Sequence, residues 1–167
     1  MELEKVIEER FSVRKYSDKL VEKEKLDKIL YYGNLAPTAK NIQPQRIYVV
    51  EGDSLEKIDR VSRCRYNAPT VLIICADMNE VYSDEFGDTA DIDASIVTTH
   101  MMLEAYNLGV DSTWIDLFDH IKVKEELNIP ENYKPVAMLD LGYREAGIVP
   151  SKLHDMKKNI NDIVTYI

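Results

Sequence analysis

Two runs of mostly apolar residues constrain the fold of this chain more than any other feature of its sequence. The first run covers residues 70–76 and the second covers residues 136–143. Because apolar and polar residues do not alternate within them, both runs are typical of strands that are buried on both faces. Two further strands are predicted at residues 46–51 and, more briefly, at residues 113–115. The central strands are therefore expected to lie between other elements.

Helical periodicity marks most of the remaining chain. Helices are predicted over residues 2–11, 22–35, 91–108 and 123–128, and a further helix is predicted to start at residues 53–56, with Asp53 as its cap. Helices and strands alternate irregularly and helices dominate, which favours an α+β sandwich. The chain has 167 residues, of which 45% are hydrophobic. This size predicts a single domain with a substantial core.

The longest predicted helix, residues 91–108, is apolar on more than one side. One stripe contains Ile92, Ile96 and Leu103, and the residues that lie off this stripe are Val97, Met101 and Met102. A central helix shared with a second subunit would explain this pattern, and so would a helix buried within a monomer. The chain also ends in an apolar stretch after the polar, basic residues that follow Pro150. This tail is expected to pack on another surface, such as a partner subunit.

The overall charge and the lack of targeting segments exclude several classes of partner and location from the prediction. The formal net charge is −9, and an acidic surface repels nucleic acid and anionic membranes, so neither is a predicted partner. The N-terminus lacks the apolar core of a signal peptide, and no stretch is long enough to span a bilayer. Cys64 and Cys75 lack the spacing of a metal site, and Cys75 is expected to be a small buried residue. These features predict a soluble cytoplasmic protein.

Two arginines lie close together near the N-terminus of this acidic chain. They flank a serine in the segment Arg10-Phe11-Ser12-Val13-Arg14. An arginine presents a rigid fork of N–H donors that matches phosphate oxygens, and a serine hydroxyl adds a neutral donor. The segment therefore predicts a site for a phosphate-bearing ligand, with solvated surface charge as the alternative.

A second segment, residues 36–44, has the sequence Ala-Pro-Thr-Ala-Lys-Asn-Ile-Gln-Pro. It is small and polar and contains a proline near each end, which is typical of an ordered loop. It is predicted to hold the other end of the ligand, with an ordinary turn as the alternative. The chain shows no Ser-His-Asp pattern, and Asp91, Asp93 and His100 give no closed set of metal ligands. No catalytic side chain and no metal site are predicted, which fits chemistry that is carried by a cofactor.

Five short motifs, in this order, resemble the nitroreductase family of FMN-dependent oxidoreductases. They are Arg-x-Ser-x-Arg-Lys-Tyr at 10–16, Pro-Thr-Ala-Lys-Asn-Ile-Gln-Pro at 37–44, Cys-Ala-Asp at 75–77, Gly-x-x-x-x-Trp-Ile at 109–115, and Leu-Gly-Tyr at 141–143 with a basic tail beyond it. No single motif is specific, but the ordered set covers nearly the whole chain. The resemblance implies a three-layer α/β/α sandwich with an antiparallel-type central sheet. It also implies an intertwined homodimer in which residues 1–167 form one FMN-binding domain.

The resemblance further implies which residues bind FMN. The phosphate and ribityl chain would be bound by Arg10, Phe11, Ser12 and Arg14. A loop of the other subunit, with Pro37, Thr38, Ala39 and Asn41, would lie against the isoalloxazine ring. The backbone amides of Asp116 and Leu117 would approach flavin N5 and O4, and Lys157 in the basic tail would add a phosphate contact. Because basic tails are common, Lys157 is also explained as solvated charge, and the register there could slip by one residue.

The implied activity is reduction of FMN by NADH or NADPH, followed by hydride transfer from flavin N5 to a small-molecule acceptor such as a nitroaromatic or quinone, in a ping-pong cycle. Three residues depart from the family pattern: Ala39 replaces a serine, Gln45 replaces an aromatic residue, and Leu117 replaces a frequent glycine. Two alternatives therefore stay open. One is a flavoprotein of the same fold with another activity (a reductive dehalogenase, a flavin-degrading enzyme or an oxidase), and the other is a non-catalytic flavin-binding protein.

Two expectations concern the surroundings of this site. The segment 78–89 is acidic and aromatic, and it is predicted to be a mobile loop or cover. It is shorter than the corresponding region of larger family members, which implies a more open pocket or one that is closed by other elements. Trp114 is expected to belong to the core rather than to stack on a ligand.

Overall fold

The two apolar runs form the centre of a four-stranded sheet in the computed structural model, which describes residues 1–167. They are strands β2 (Thr70–Asp77) and β6 (Tyr133–Gly142). The edge strands are β1 (Gln45–Glu51) and β5 (Asp111–Ile115), in the order β1-β2-β6-β5, and every neighbouring pair is antiparallel. All residues of β2 are buried. The prediction of central strands covered on both faces is confirmed.

Helices cover both faces of this sheet. They are α1 (Leu3–Glu9), α2 (Lys23–Asn34), α3 (Leu55–Asp59), α4 (Ala90–Asn107) and α5 (Lys122–Leu127). Strands β3 (Ser83–Asp84) and β4 (Gly87–Asp88) form a short, exposed hairpin in the segment that was predicted as a loop. No helix of the structure combines the length and the apolar character needed to cross a membrane.

Two hydrophobic clusters define the three layers. On one face, α2 and α4 pack against Leu72, Ile74 and Leu139 of the sheet. On the other face, α3 and α5 pack against the alternate residues of β2, such as Val71 and Ile73. Burying each such side chain contributes about 1.5–3 kcal/mol to folding. The predicted α+β class and α/β/α layering are confirmed.

Helix α4 fully buries two of the three residues that lie off its predicted stripe, and the third, Met102, is partly buried. Val97 and Met101 are fully buried against the sheet, and the close approach of α2 at Gly33 leaves only 2.9 Å between the sulfur of Met101 and the position that a Cβ at residue 33 would take. By contrast, Ile92 is 60% exposed, and Ile96 and Leu103 line surface cavities. Burial within one subunit therefore accounts for only one of the two apolar sides.

Three local expectations are wrong. Helix α1 ends at Glu9, because Arg10 already has extended backbone angles, so Phe11 lies beyond the helix. Asp53 lies inside a 3₁₀ turn, and no side chain caps α3. Trp114 is 40% exposed, because it lies on an edge strand whose alternation buries its two neighbours and turns its own side chain outward.

The C-terminal tail is nearly all exposed. Residues 151–167 contain one short 3₁₀ turn, and His154 is the sole residue among them that is not exposed. Leu153, Met156 and Ile160 are all large apolar residues on the surface of this tail. Exposing large apolar side chains to water is unfavourable, so these residues are expected to pack against another surface.

Candidate functional site

The N-terminal arginines line a cavity of about 210 Å³ together with the start of the tail. The structure brings together the predicted residues of the phosphate grip and three residues that sequence reasoning missed. The lining consists of Arg10, Phe11, Ser12, Arg14, Ser151, Leu153 and His154. Nothing in the sequence marks the last three, because they lie in a polar tail with no motif of its own.

An edge pairing with β5 orients this segment. Ser12 forms a parallel bridge with Ser112, and the backbone N–H of Val13 donates to the carbonyl of Ser112 at 3.2 Å. Val13 is fully buried. Because successive side chains of an extended segment point to opposite sides, Ser12 and Arg14 are directed away from the core and toward the cavity.

The cavity carries positive charge that the protein itself does not neutralise. Of the five other arginines, Arg63 is also unpaired, and four pair with a carboxylate: Arg46, Arg60, Arg65 and Arg144. Arg10 and Arg14 have no carboxylate within 4.0 Å. Two unpaired guanidinium groups that line one cavity in a chain of net charge −9 have the chemistry to bind an anion such as a phosphate group.

Phe11 forms one wall of the cavity between two cationic or aromatic neighbours. Its ring lies 5.0 Å from the guanidinium carbon of Arg144 and packs edge-on against the ring of His154 at 6.2 Å between centroids. The His154 ring is held in turn by the carbonyl of Glu8 at 3.0 Å. Lys157 does not line the cavity, and its ammonium donates to the carbonyl of His154. Its predicted phosphate contact stays a prediction.

The loop that was predicted to be ordered has a strained backbone. It contains one 3₁₀ turn, Ala39–Asn41, and Lys40, Asn41 and Gln43 have φ values of 50°, 57° and 59°. Non-glycine residues rarely adopt this left-handed region. The hydroxyl of Thr38 accepts from the backbone N–H of Gln43 at 3.0 Å, and the Gln43 side chain donates to the carbonyl of Asn41 at 3.1 Å. Strain of this kind persists at sites where shape matters.

Residues 116 and 117 present two backbone donors to solvent. Asp116 and Leu117 follow the end of β5 and are both exposed. Neither of their N–H groups donates a hydrogen bond within the protein. The carbonyl of Leu117 is fixed on the other side, where it accepts from the hydroxyl of the buried Ser62 at 2.8 Å. Two oriented and unsatisfied N–H groups can stabilise negative charge on a ligand.

A larger cavity of about 540 Å³ opens beside Asp116. Its walls include Trp114, the ion pair between Lys134 and Asp91 at 2.7 Å, and His120, whose Nδ1 lies 3.0 Å from the carbonyl of Pro135. This volume is within the range of small-molecule sites. Trp114 therefore lines a cavity instead of filling the core.

One chain brings together two of the three predicted parts of the site. Ser12 pairs with the beginning of β5 and Leu117 follows the end of the same strand, so they lie about 16 Å apart along extended chain. No hydrogen bond or ion pair joins the loop 37–44 to the arginine cavity or to residues 116–117. Within one subunit, no polar contact therefore connects the loop to the other two parts of the predicted site.

Comparison with known proteins gives a consistent result. The sequence model of the nitroreductase family matches residues 7–66 and 62–143. A crystal structure of a nitroreductase family protein from Clostridium difficile 630 has a TM-score of 0.92 and 35% identity, covering 99% of this chain and 98% of that one. An FMN-dependent nitroreductase from Clostridium difficile R20291 has a TM-score of 0.77 and 31% identity, with 96% of each chain covered. A protein of Archaeoglobus fulgidus, provisionally named an NADH dehydrogenase/NAD(P)H nitroreductase, is 33% identical over 147 residues, which is 83% of both chains.

Proposed function

The chain belongs to the nitroreductase family, and on this premise we propose that it is an FMN-dependent oxidoreductase that uses NADH or NADPH to reduce a small organic acceptor. Relatives named for FMN and for NAD(P)H support this choice of cofactor and co-substrate. Residues 1–167 act as one FMN-binding domain. Bound FMN supplies the hydride-transfer chemistry, and the side chains bind, orient and shield it.

The observation that carries the proposal is the unpaired arginine cavity. Arg10 and Arg14 have no carboxylate within 4.0 Å, and Ser12 lies between them in the same cavity. A phosphate dianion would accept charge-assisted hydrogen bonds from both guanidinium groups and a further bond from the hydroxyl. The residues present therefore fit the phosphate end of FMN.

The exposed amides of residues 116 and 117 fit the other end of the cofactor. Their N–H groups lack acceptors in the protein and follow the strand that begins beside the phosphate site. Donors that are already oriented stabilise developing negative charge without the cost of reorganisation. The adjacent cavity of about 540 Å³ has room for an acceptor the size of a nitroaromatic or quinone.

The proposed active unit is a homodimer. Large apolar residues are exposed on one side of α4, around a cavity of about 470 Å³ lined by Leu3, Ile7 and Leu103, and along the C-terminal tail, and contiguous exposed apolar surface is typical of protein–protein interaction sites. A second copy would cover these surfaces. It would also supply the loop 37–41, which does not line the arginine cavity of its own chain.

The visible spectrum of the purified protein tests the proposed function. The protein reconstituted with FMN is expected to show a flavin spectrum, and this spectrum is expected to bleach when NADH or NADPH is added without oxygen. A panel of nitroaromatic and quinone acceptors should then restore the oxidised spectrum. A protein that takes up no FMN would contradict the proposal, and one whose bound flavin does not bleach would be a flavin-binding protein rather than a reductase.

Deletion of residues 159–167 tests the homodimer. Ile160, Ile163 and Ile167 are exposed in the single chain, so their removal is expected to spare the fold of each subunit while weakening association. Sedimentation velocity should show a shift from dimer toward monomer, and the amount of retained FMN should fall with it. A truncated protein that stays dimeric, or a monomer that binds FMN tightly, would exclude the proposed role of the tail.

A further inference from the structure

A buried carboxylate connects helix α4 to the strained loop. Asp93 lies in the first turn of α4 and is 3% exposed. One of its oxygens accepts from the backbone N–H of Ala39 at 2.9 Å, and the other accepts from the hydroxyl of Thr89 at 2.8 Å. No lysine or arginine lies within 4.0 Å of it. Burying a carboxylate without a cation is costly, so its two hydrogen bonds and the helix N-terminus must compensate.

This carboxylate provides the only hydrogen bond that ties residues 38–42 to the rest of the fold. The other hydrogen bonds of this segment stay inside the loop, such as those from Asn41 N–H to Thr38 and from Ile42 N–H to Ala39. The loop holds non-glycine residues at positive φ, a conformation that persists only where neighbouring contacts fix it. Asp93 is therefore the one hydrogen-bonding partner from outside that fixes the shape of the turn, and the other outside contact is the Lys40 ammonium, 4.2 Å from the centre of the Tyr82 ring.

The apolar packing of α4 does not need a carboxylate at this position. The neighbouring buried residues on the helix are Ala90, Ala94 and Val97. An apolar residue at 93 would avoid the desolvation of a charge, but it would leave the N–H of Ala39 without its acceptor. The geometry thus connects the carboxylate of Asp93 to the loop and not to the packing of the core.

We propose that Asp93 is a positioning residue for FMN binding, which acts by holding the amide of Ala39 and with it the left-handed conformation of loop 37–41. The inference rests on the proposed function, in which this loop lies against the cofactor. Asp93 itself makes no contact with FMN. Its effect is to present Thr38, Ala39 and Asn41 already in their bound shape, which removes the ordering cost from cofactor binding.

Two substitutions at this position separate positioning from general stability. Asp93→Ala removes the acceptor, and we expect the Kd for FMN, measured by equilibrium dialysis of the apo protein, to rise about tenfold. Asp93→Asn keeps one acceptor oxygen for Ala39, and the Thr89 hydroxyl can accept from the new amide instead of donating, so its Kd is expected to stay within about threefold of the wild type.

Thr98→Val is the matched control, because it removes a buried hydroxyl of the same helix that bonds only to Ala94 at 2.7 Å. It is expected to lower the Tm without changing the Kd.

A variant on the loop tests the same hydrogen bond from its other partner. Ala39→Pro removes the N–H donor, leaves α4 unchanged, and is expected to weaken FMN binding by a similar factor, including in the case where Asp93→Ala fails to fold. Wild-type FMN affinity in both Asp93→Ala and Ala39→Pro would overturn the inference, and so would an equal loss in Asp93→Ala and Asp93→Asn. If the wild-type protein takes up no FMN, the proposed function itself fails, and this result is distinct from unchanged affinity in the variants.

Discussion

Replacing Arg14 with alanine is expected to raise the Kd for FMN by about 10- to 100-fold. Arg14 is exposed and has no carboxylate within 4.0 Å, so its guanidinium is available to the phosphate without first breaking an ion pair. A charge-assisted hydrogen bond to phosphate contributes more than a neutral one. Titration of the apo protein with FMN measures the change in Kd directly.

The same substitution is expected to leave the stability of the apo protein nearly unchanged. Arg14 makes no ion pair that folding depends on, and exposed substitutions usually alter the free energy of unfolding by less than about 0.5 kcal/mol. Lys15→Ala is the matched control, because this neighbouring cation is also exposed but pairs with Glu145 at 2.7 Å. Equal FMN affinity in Arg14→Ala and the wild type would exclude the phosphate role. A similar loss of FMN affinity in Lys15→Ala would show that the change in net charge, and not a specific contact of Arg14, explains the effect.

Replacing Asp140 with asparagine is expected to stabilise the protein at neutral and alkaline pH. Asp140 lies in β6, opposite Val71 of β2 and Thr113 of β5, and is 0% exposed. Neither of its carboxyl oxygens has a hydrogen-bond partner. Burial raises the pKa of this carboxyl well above its ordinary value, and the nearby Arg65 only partly opposes the effect. Arg65 is itself paired with Asp59 at 2.7 Å.

The sign of the pH dependence follows from this direction. The unfolded chain releases the Asp140 proton near the ordinary pKa of about 3.9, whereas the folded protein retains it to higher pH. The native state then binds more protons than the unfolded state, so stability falls as the pH rises from about 4 toward the raised pKa. Asp140→Asn removes this loss. A gain of about 1–3 kcal/mol in the free energy of unfolding is expected at about pH 8, shrinking toward zero at about pH 4.

Denaturant unfolding at several pH values measures this difference. Asp18→Asn is the matched control, because Asp18 is exposed and makes no ion pair or side-chain hydrogen bond, so its effect should be small at every pH. A gain that does not depend on pH would show that packing, and not ionisation, explains the effect. A loss of stability in Asp140→Asn at about pH 8 would contradict the argument, because it would require a hydrogen-bond partner that the charged form alone can use.

The central elements of the fold could be predicted because burial leaves a direct mark on sequence. The run 70–76 is apolar throughout since β2 is covered on both faces, and the stripe that contains Leu26 and Ile29 marks the buried side of α2. Edges were harder to predict. Trp114 is large and apolar like a core residue, but it is exposed because β5 is the last strand of the sheet. The local sequence does not indicate which strand lies at the edge.

The candidate site shows the same division. The Arg10–Arg14 segment and the loop 37–44 could be found from residue types alone, because phosphate recognition and tight turns need particular side chains. His154 and Ser62 could not, since one comes from an unmarked tail and the other acts through a backbone carbonyl. From the sequence, Asp93 was considered only as part of an incomplete set of metal ligands, whereas in the fold its carboxylate accepts a hydrogen bond from the backbone N–H of Ala39.

The sequence by itself determined the family and the layered fold, and it predicted a phosphate-bearing ligand, because hydrophobic pattern and motif order are properties of the chain in one dimension. Only the tertiary structure decided which charges stay unpaired, which amides lack acceptors and which buried carboxylates lack partners. Those properties depend on distances between residues far apart in the chain, such as Ala39 and Asp93. Burial makes each of them energetically important by removing the water that would otherwise satisfy these groups.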